Sequence, residues 1–119
     1  MNESCLFCKI ISGKIPSAKV YEDENFFCIK DISPQAKVHL LLLPKKHFPS
    51  LAEAFPENGN QEVELIGKLF ERAYSIAKEQ GLLPDGFRTV INTSRNAGQT
   101  VDHLHLHILG GEMLSGFGA

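Results

Sequence analysis

The sequence predicts an α+β domain in which a largely antiparallel sheet carries one long helix, and three features predict it. The run His103-Leu104-His105-Leu106-His107 alternates with a period of two, which only a strand produces. Residues Gln61 to Gln80 bear an apolar stripe at helical spacing. Short turn-forming segments join most of the other apolar runs, so that successive strands fold back on one another. The 119 residues suffice for one core and not for two, and the 43% apolar and 22% charged content is that of an ordinary globular chain. Residues 1–119 are therefore read as one domain.

Taken in order, Leu6, Phe7, Ile10 and Ile11 fall at helical spacing, so Cys5 to Ser12 reads as a short helix ended by Gly13. Pro16 breaks the chain. Lys19 to Glu22 and Phe26 to Ile29 read as strands around the turn Asp23-Glu24-Asn25. Val38 to Leu43 is almost wholly apolar, which predicts a central strand covered on both faces and ended by Pro44. On the long helix, Val63, Ile66, Phe70, Ala73 and Ala77 form the stripe, and Gly81 is placed to cap the end. Phe87 to Asn92 reads as a fourth strand and His103 to Leu109 as a fifth. Thr93 to Asp102, rich in Ser, Asn, Gly, Gln and Thr, reads as the loop between them. Gly110 to Ala119 has no period and is expected to be irregular. Cys28, on a strand, is expected to be a small core residue.

Charge and composition exclude several function classes. A net charge of -2 offers no basic face for a nucleic-acid backbone, though local dipoles and imidazoles can still hold a small phosphate. Apolar runs such as Leu40 to Leu43 fall far below the ~20 residues that cross a bilayer, and Met1-Asn2-Glu3-Ser4 opens no signal-type segment. An odd count of three cysteines fits a reducing compartment better than a disulfide framework. The expectation is a cytoplasmic protein with neither a nucleic-acid nor a membrane partner.

The triad carries the chemistry. On a strand, Leu104, Leu106 and Ile108 face a core while His103, His105 and His107 share the other face, spaced about 6.5 Å apart. A merely solvated face would more naturally use Lys, Glu or Thr. Imidazole can be neutral, and so nucleophilic, near pH 7. One ring can attack while its neighbours fix its tautomer, bind phosphoryl oxygens and move protons. The adjoining Gly98-Gln99-Thr100, with Asn92 at the end of the incoming strand, supplies amides and polar side chains for an anion. Alone such a loop is an ordinary polar connection; abutting three aligned histidines, it reads as a phosphate site.

Asp31-Ile32-Ser33-Pro34-Gln35-Ala36, His39 followed by Pro44-Lys45-Lys46-His47, Gly98-Gln99-Thr100, and His103 to His107 followed by Ile108-Leu109-Gly110-Gly111 together resemble the histidine-triad (HIT) nucleotide-binding proteins. The likeness runs from Cys5 to Gly111, in order and with matching spacing. Length and the Gly-Gly tail resemble the purine nucleoside phosphoramidase branch. The resemblance implies a HIT-like fold: a five-stranded sheet with one long and one or two short helices, extended across a homodimer. It implies hydrolysis of purine nucleoside 5′-phosphoramidates through a covalent nucleotidyl-histidine. By position, His105 would be the nucleophile and His107 its phosphate-binding neighbour. Asn92, Gly98, Gln99 and Thr100 would surround the phosphate. Asp31 would hold the ribose hydroxyls, Ile32, Leu6, Phe7 and Ile10 would wall the purine, and His39 would be a buried support.

The pair Cys5-x-x-Cys8 admits three readings: a redox dithiol, two plain structural thiols, or half of a zinc site. A redox pair lacks the preceding strand that such motifs use. Cysteine-bearing relatives resemble a Cys₂His₂ arrangement, which here would add His47 and His103 as the remaining ligands of a structural zinc. Two departures stand out. Asp102 precedes the triad where the family usually carries an aromatic or apolar residue, and a carboxylate there could shift a neighbouring imidazole. The tail lacks the family's common tryptophan, for which Phe117 could substitute. Rival functions are a dinucleoside polyphosphate hydrolase or nucleotidyl transferase, and a slow-turnover nucleotide-binding regulator; the intact His105 argues against the last.

Overall fold

The structure is a computed structural model that describes residues 4–116; Phe117 lies outside the described residues. The elements are α1 (Leu6–Ile11), β1 (Lys19–Glu22), β2 (Phe26–Lys30), β3 (Val38–Pro44), α2 (Val63–Glu79), β4 (Phe87–Val90) and β5 (Leu106–Gly110). Short 3₁₀ turns occupy Leu51–Ala54 and Arg95–Ala97. The strands form one sheet in the order β1-β2-β3-β5-β4, each pair of neighbours antiparallel. This is the α+β architecture the sequence predicts.

β3 lies at the centre, and from His39 to Pro44 it is buried on both faces, which is why its sequence is a run of leucines and not an alternation. Leu40 and Leu42 join Phe26, Cys28, Leu106 and Ile108 in the core beneath α2. Leu41 and Leu43 face the opposite way, with Phe27 and Ile29, onto Phe7 and Ile10 of α1. The sheet is thus covered by the long helix on one side and the short one on the other.

Three boundaries or faces differ from the sequence reading. β5 begins at Leu106, not His103. The amide of His103 donates to the Val101 carbonyl and that of Leu104 to the Phe48 carbonyl, so these residues pair with loops instead of extending the ladder. β4 stops at Val90, short of Asn92. On α2 the stripe is rotated: Leu65, Ile66, Leu69, Ala73, Ile76 and Ala77 pack on the sheet, while Val63 and Phe70 are 66% and 45% exposed. The helix carries two overlapping apolar stripes, and the leucine-rich one takes the core, where Leu69 is fully buried. Leu69→Ala should therefore lower stability by about 2–5 kcal/mol. Urea unfolding measures this, and a loss below about 1 kcal/mol would put the core stripe elsewhere.

Gly81 closes α2 as expected. At φ +76° it turns left-handed, its amide reaches the Lys78 carbonyl, and the Leu82 amide reaches that of Ala77. These are the two bonds of a Schellman cap.

Candidate active site

The sheet brings the imidazoles together. Leu41 on β3 opposes His107 on β5, and His39 opposes Leu109. Leu104, Leu106 and Ile108 are all buried in the cores, as the alternation requires, and the imidazoles take the other side. They do not form one evenly spaced row. His105 and His107 are ring neighbours at 5.1 Å between centroids, and His39 lies 5.1 Å from His107. His103 turns away to the N-terminal cysteines. Phe7 meets His103 and His105 edge-on at 6.0 and 5.1 Å.

Hydrogen-bond partners assign the tautomers. His105 Nδ1 lies 2.7 Å from the His103 carbonyl, which can only accept, so the proton sits on Nδ1 and the lone pair on Nε2. The Gln35 amide donates to His39 Nδ1 at 3.0 Å, which puts the His39 proton on Nε2. That nitrogen is 2.9 Å from His107 Nδ1, which must then accept. His107 is left with its proton on Nε2, ready to donate. One ring thereby presents an unprotonated nitrogen and its neighbour an N–H that can donate.

Burial keeps the rings neutral. Desolvation lowers the proton affinity of His105 and of His39, and takes His107 and His103 down to about 4. The nearby Asp31 carboxylate opposes this at His39, His105 and His107. Asp102 is exposed, and the carboxylate that acts on the site is Asp31 instead. Asp31 Oδ2 lies 3.4 Å from His39 Nε2, and Oδ1 accepts the Ser33 amide at 2.7 Å.

The loop before the triad is built around Gln99. Its Oε1 accepts the Ser94 amide at 2.7 Å, and its Nε2 donates to the carbonyls of Pro49 and Val101 at 2.7 and 2.8 Å. These bonds hold Ser94 at φ +68°, a strained value for a non-glycine residue, and Gly98 at φ +81°. The Gln99 side chain is therefore committed to bracing the loop and not free for a phosphate. Asn92 is half-buried two residues beyond Val90, which pairs with His107. Thr100 is exposed, in a cleft of about 500 Å³ with Cys5, Leu6, His47 and Asp102. Of the four residues expected against a base, Ile32 is 98% exposed and Leu6 44%, whereas Phe7 and Ile10 pack in the core beneath α1.

Cys5, Cys8, His47 and His103 meet at one point. Their four donor atoms all lie within 4.8 Å of one another. The two Nδ1 atoms are 3.1 Å apart, and Cys8 Sγ is 3.4 Å from His47 Nδ1. From His103 Nδ1, Cys5 Sγ and Cys8 Sγ are 3.5 and 3.6 Å away. A tetrahedral ion held by thiolates and imidazoles has ligand–ligand edges of about 3.3–3.8 Å, so the group fits a single metal ion. His103 Nε2 donates to the Pro44 carbonyl at 2.8 Å, which leaves its Nδ1 lone pair facing the sulfurs.

The family model described as "Scavenger mRNA decapping enzyme C-term binding" matches residues 4–118. Protein HitA of Neisseria gonorrhoeae is 51% identical over 91% of this chain and 96% of its own. The purine nucleoside phosphoramidase of Escherichia coli K12 is 39% identical over 96% of this chain and 92% of its own. The crystal structure of a histidine triad protein from Clostridium difficile superposes with a TM-score of 0.91 at 40% identity, covering 98% of each chain. The chain belongs to the histidine-triad family. A zinc-bound histidine-triad protein from Mycobacterium smegmatis is likewise similar, with a TM-score of 0.74 at 39% identity over 94% of this chain and 80% of that one. Within the histidine-triad frame the groups that set the tautomers are in part backbone: the Gln35 amide and the carbonyls of His103 and Pro44. Sequence reasoning missed these. Pro34 and the Asp31–Ser33 turn were the available signal for the first, and the two carbonyls leave none.

Proposed function

We propose that this chain hydrolyses purine nucleoside 5′-phosphoramidates through a covalent nucleotidyl-His105 intermediate. The observation that carries the reading is the bond from His105 Nδ1 to the His103 carbonyl, which presents a neutral, unprotonated Nε2. That nitrogen attacks the α-phosphorus in line. A bond forms between Nε2 and phosphorus, the phosphorus–nitrogen bond to the leaving group breaks, and the departing nitrogen, protonated from solvent, leaves as an amine; the water of the second step returns that proton to solvent. Water then attacks the same phosphorus, the bond to Nε2 breaks, and the nucleoside monophosphate is released. His107 Nε2–H donates to a nonbridging oxygen. Amides around Gly98, with Asn92 and Thr100, serve the phosphate and leaving group, and Gln99 holds that loop in shape. Asp31 takes the ribose hydroxyls, with Ile32 and Leu6 as apolar surface for the base. The phosphoramidase relative from Escherichia coli supports the substrate class. Rapid quench of a reaction with adenosine 5′-phosphoramidate in cold alkaline denaturant, where a nucleotidyl-imidazole survives, followed by peptide mass spectrometry under non-acidic conditions, should find the nucleotidyl group on His105. Faster turnover of diadenosine polyphosphates would overturn the substrate class.

Zinc is the ion proposed for Cys5, Cys8, His47 and His103. A closed set of four protein ligands leaves no position for water, so such an ion would brace α1 against the triad without entering the reaction. Cys5, Cys8 and Cys28 form no disulfide, which suits a reducing cytoplasm.

A homodimer is proposed on two surfaces. β4 stands at an edge of the sheet, and the outer face of α2 exposes Val63, Phe70 and Tyr74. Pairing would cover that apolar stripe and continue the sheet from one subunit to the next. Light scattering at micromolar concentration should report about twice the 13.2 kDa chain mass, and Phe70→Glu should shift it toward the monomer. A wild-type mass of one chain would overturn the dimer.

A further inference from the structure

We propose that Asp31 is a positioning residue for His107, acting through His39, so that the carboxylate assigned to the ribose also sets the proton pattern at the phosphate. The inference rests on the reaction proposed above and adds a second duty for one of its residues.

His39 is the joint between the two ends of the site. Its side chain is 3% exposed, so each ring nitrogen must find its partner within the protein. Nδ1 is taken by the Gln35 amide. Nε2 faces His107 Nδ1 at 2.9 Å and Asp31 Oδ2 at 3.4 Å together. The two contacts are not equivalent. His107 Nδ1 could accept from His39 or donate to it, because an imidazole nitrogen can do either. A carboxylate can only accept. Asp31 therefore favours the state in which His39 Nε2 carries the proton, and that state leaves His107 no choice but to accept at Nδ1 and donate from Nε2. The Gln35 amide pushes in the same direction from the far side of the ring. Backbone and side chain thus pull on the same ring proton, and a donor in place of the Asp31 acceptor would set the two against each other.

Charge points the same way. Burial drives His39 and His107 toward neutrality, so the Asp31–His39 contact joins a carboxylate to a neutral N–H and is not an ion pair. Asp31 is also the carboxylate that raises the proton affinity of His39, His105 and His107. Its other oxygen is spent on the Ser33 amide, which fixes the carboxylate's orientation. The ribose end and the phosphate end are then one hydrogen-bonded unit, with His39 as its middle member.

A substrate without ribose hydroxyls separates the two duties of Asp31. Asp31→Asn keeps an oxygen for the Ser33 amide and turns a donor toward His39 Nε2–H, so the loop is retained while the acceptor is lost. With the 5′-phosphoramidate of 2′,3′-dideoxyadenosine, Asp31→Asn should still lower kcat about tenfold, the scale of one charge-assisted hydrogen bond. In a His39→Gln background the same change should have no further effect on kcat. Equal kcat for wild type and Asp31→Asn on the dideoxy substrate would overturn the proposal. Imidazole ¹⁵N spectra give a readout that needs no turnover: wild-type His107 should show Nδ1 unprotonated and Nε2 protonated, and Asp31→Asn should move both toward a tautomeric mixture. Should neither substrate be turned over by wild type, the proposed reaction falls and the spectra alone decide. Unchanged His107 nitrogens in Asp31→Asn would then overturn the role of Asp31.

Discussion

His105→Ala is expected to lower kcat by about three orders of magnitude or more while nucleotide still binds. The size follows from the proposed role: without that nucleophile the proposed intermediate cannot form, and no neighbouring ring is placed to substitute. His107 has its lone pair turned to His39 and offers only an N–H at Nε2, and His39 has both nitrogens engaged. His105→Gly should behave alike. Steady-state assays with adenosine 5′-phosphoramidate measure the loss, and equilibrium titration with AMP checks binding. Near wild-type turnover by either variant would remove His105 from the chemistry. The acid side of the pH profile follows from the same geometry. Burial lowers the proton affinity of His105, so its lone pair survives below the ordinary imidazole pKa of about 6.5. Activity should hold through that pH and fall only further toward acid, as protonation finally takes the lone pair. A cation in the adjacent cluster would repel that proton and push the fall the same way.

The second large effect is on stability. Stripping metal from protein purified without chelator is expected to lower the melting temperature by on the order of 10 °C or more. An unfolded chain has no preformed site, so the binding free energy of the ion is folding free energy. Four side chains from three separate parts of the sequence converge on one point, and the proposed ion would tie all of them together. The double change Cys5→Ser, Cys8→Ser should reproduce the loss. Some activity should persist in both cases, because His105 is not among the ligands. It should be reduced, because His103, a proposed ligand, also supplies the carbonyl that holds His105 Nδ1. Calorimetry and metal analysis make the test. Well under one zinc per two chains, together with reactive thiols, would leave Cys5 and Cys8 as plain structural residues.

Much of this was legible in the sequence because it rests on periodicity and residue type. The His-Leu alternation assigned the imidazoles to one side of a strand and the leucines to the core, and β5 obeys it although the ladder starts only at Leu106. The leucine run of β3 marked a strand buried on both faces, and Gly81 marked the end of α2. The pairing of Cys5 and Cys8 with His47 and His103 followed from the family resemblance, and the four side chains do meet.

The face of α2 was not legible, because two stripes overlap on it and only the packing against Leu40, Leu42 and Leu106 selects between them. Nor was the fate of Gln99, whose amide looked free for a ligand and is used up on Ser94, Pro49 and Val101. The sequence by itself determined which residue types share a face, since side-chain alternation is a property of the strand. Tertiary structure decided what each imidazole does. A histidine's role depends on which nitrogen holds the proton, and here that is set by the carbonyls of His103 and Pro44 and the amide of Gln35. Nearly every residue carries those same backbone groups, so only the fold can say which of them faces a ring.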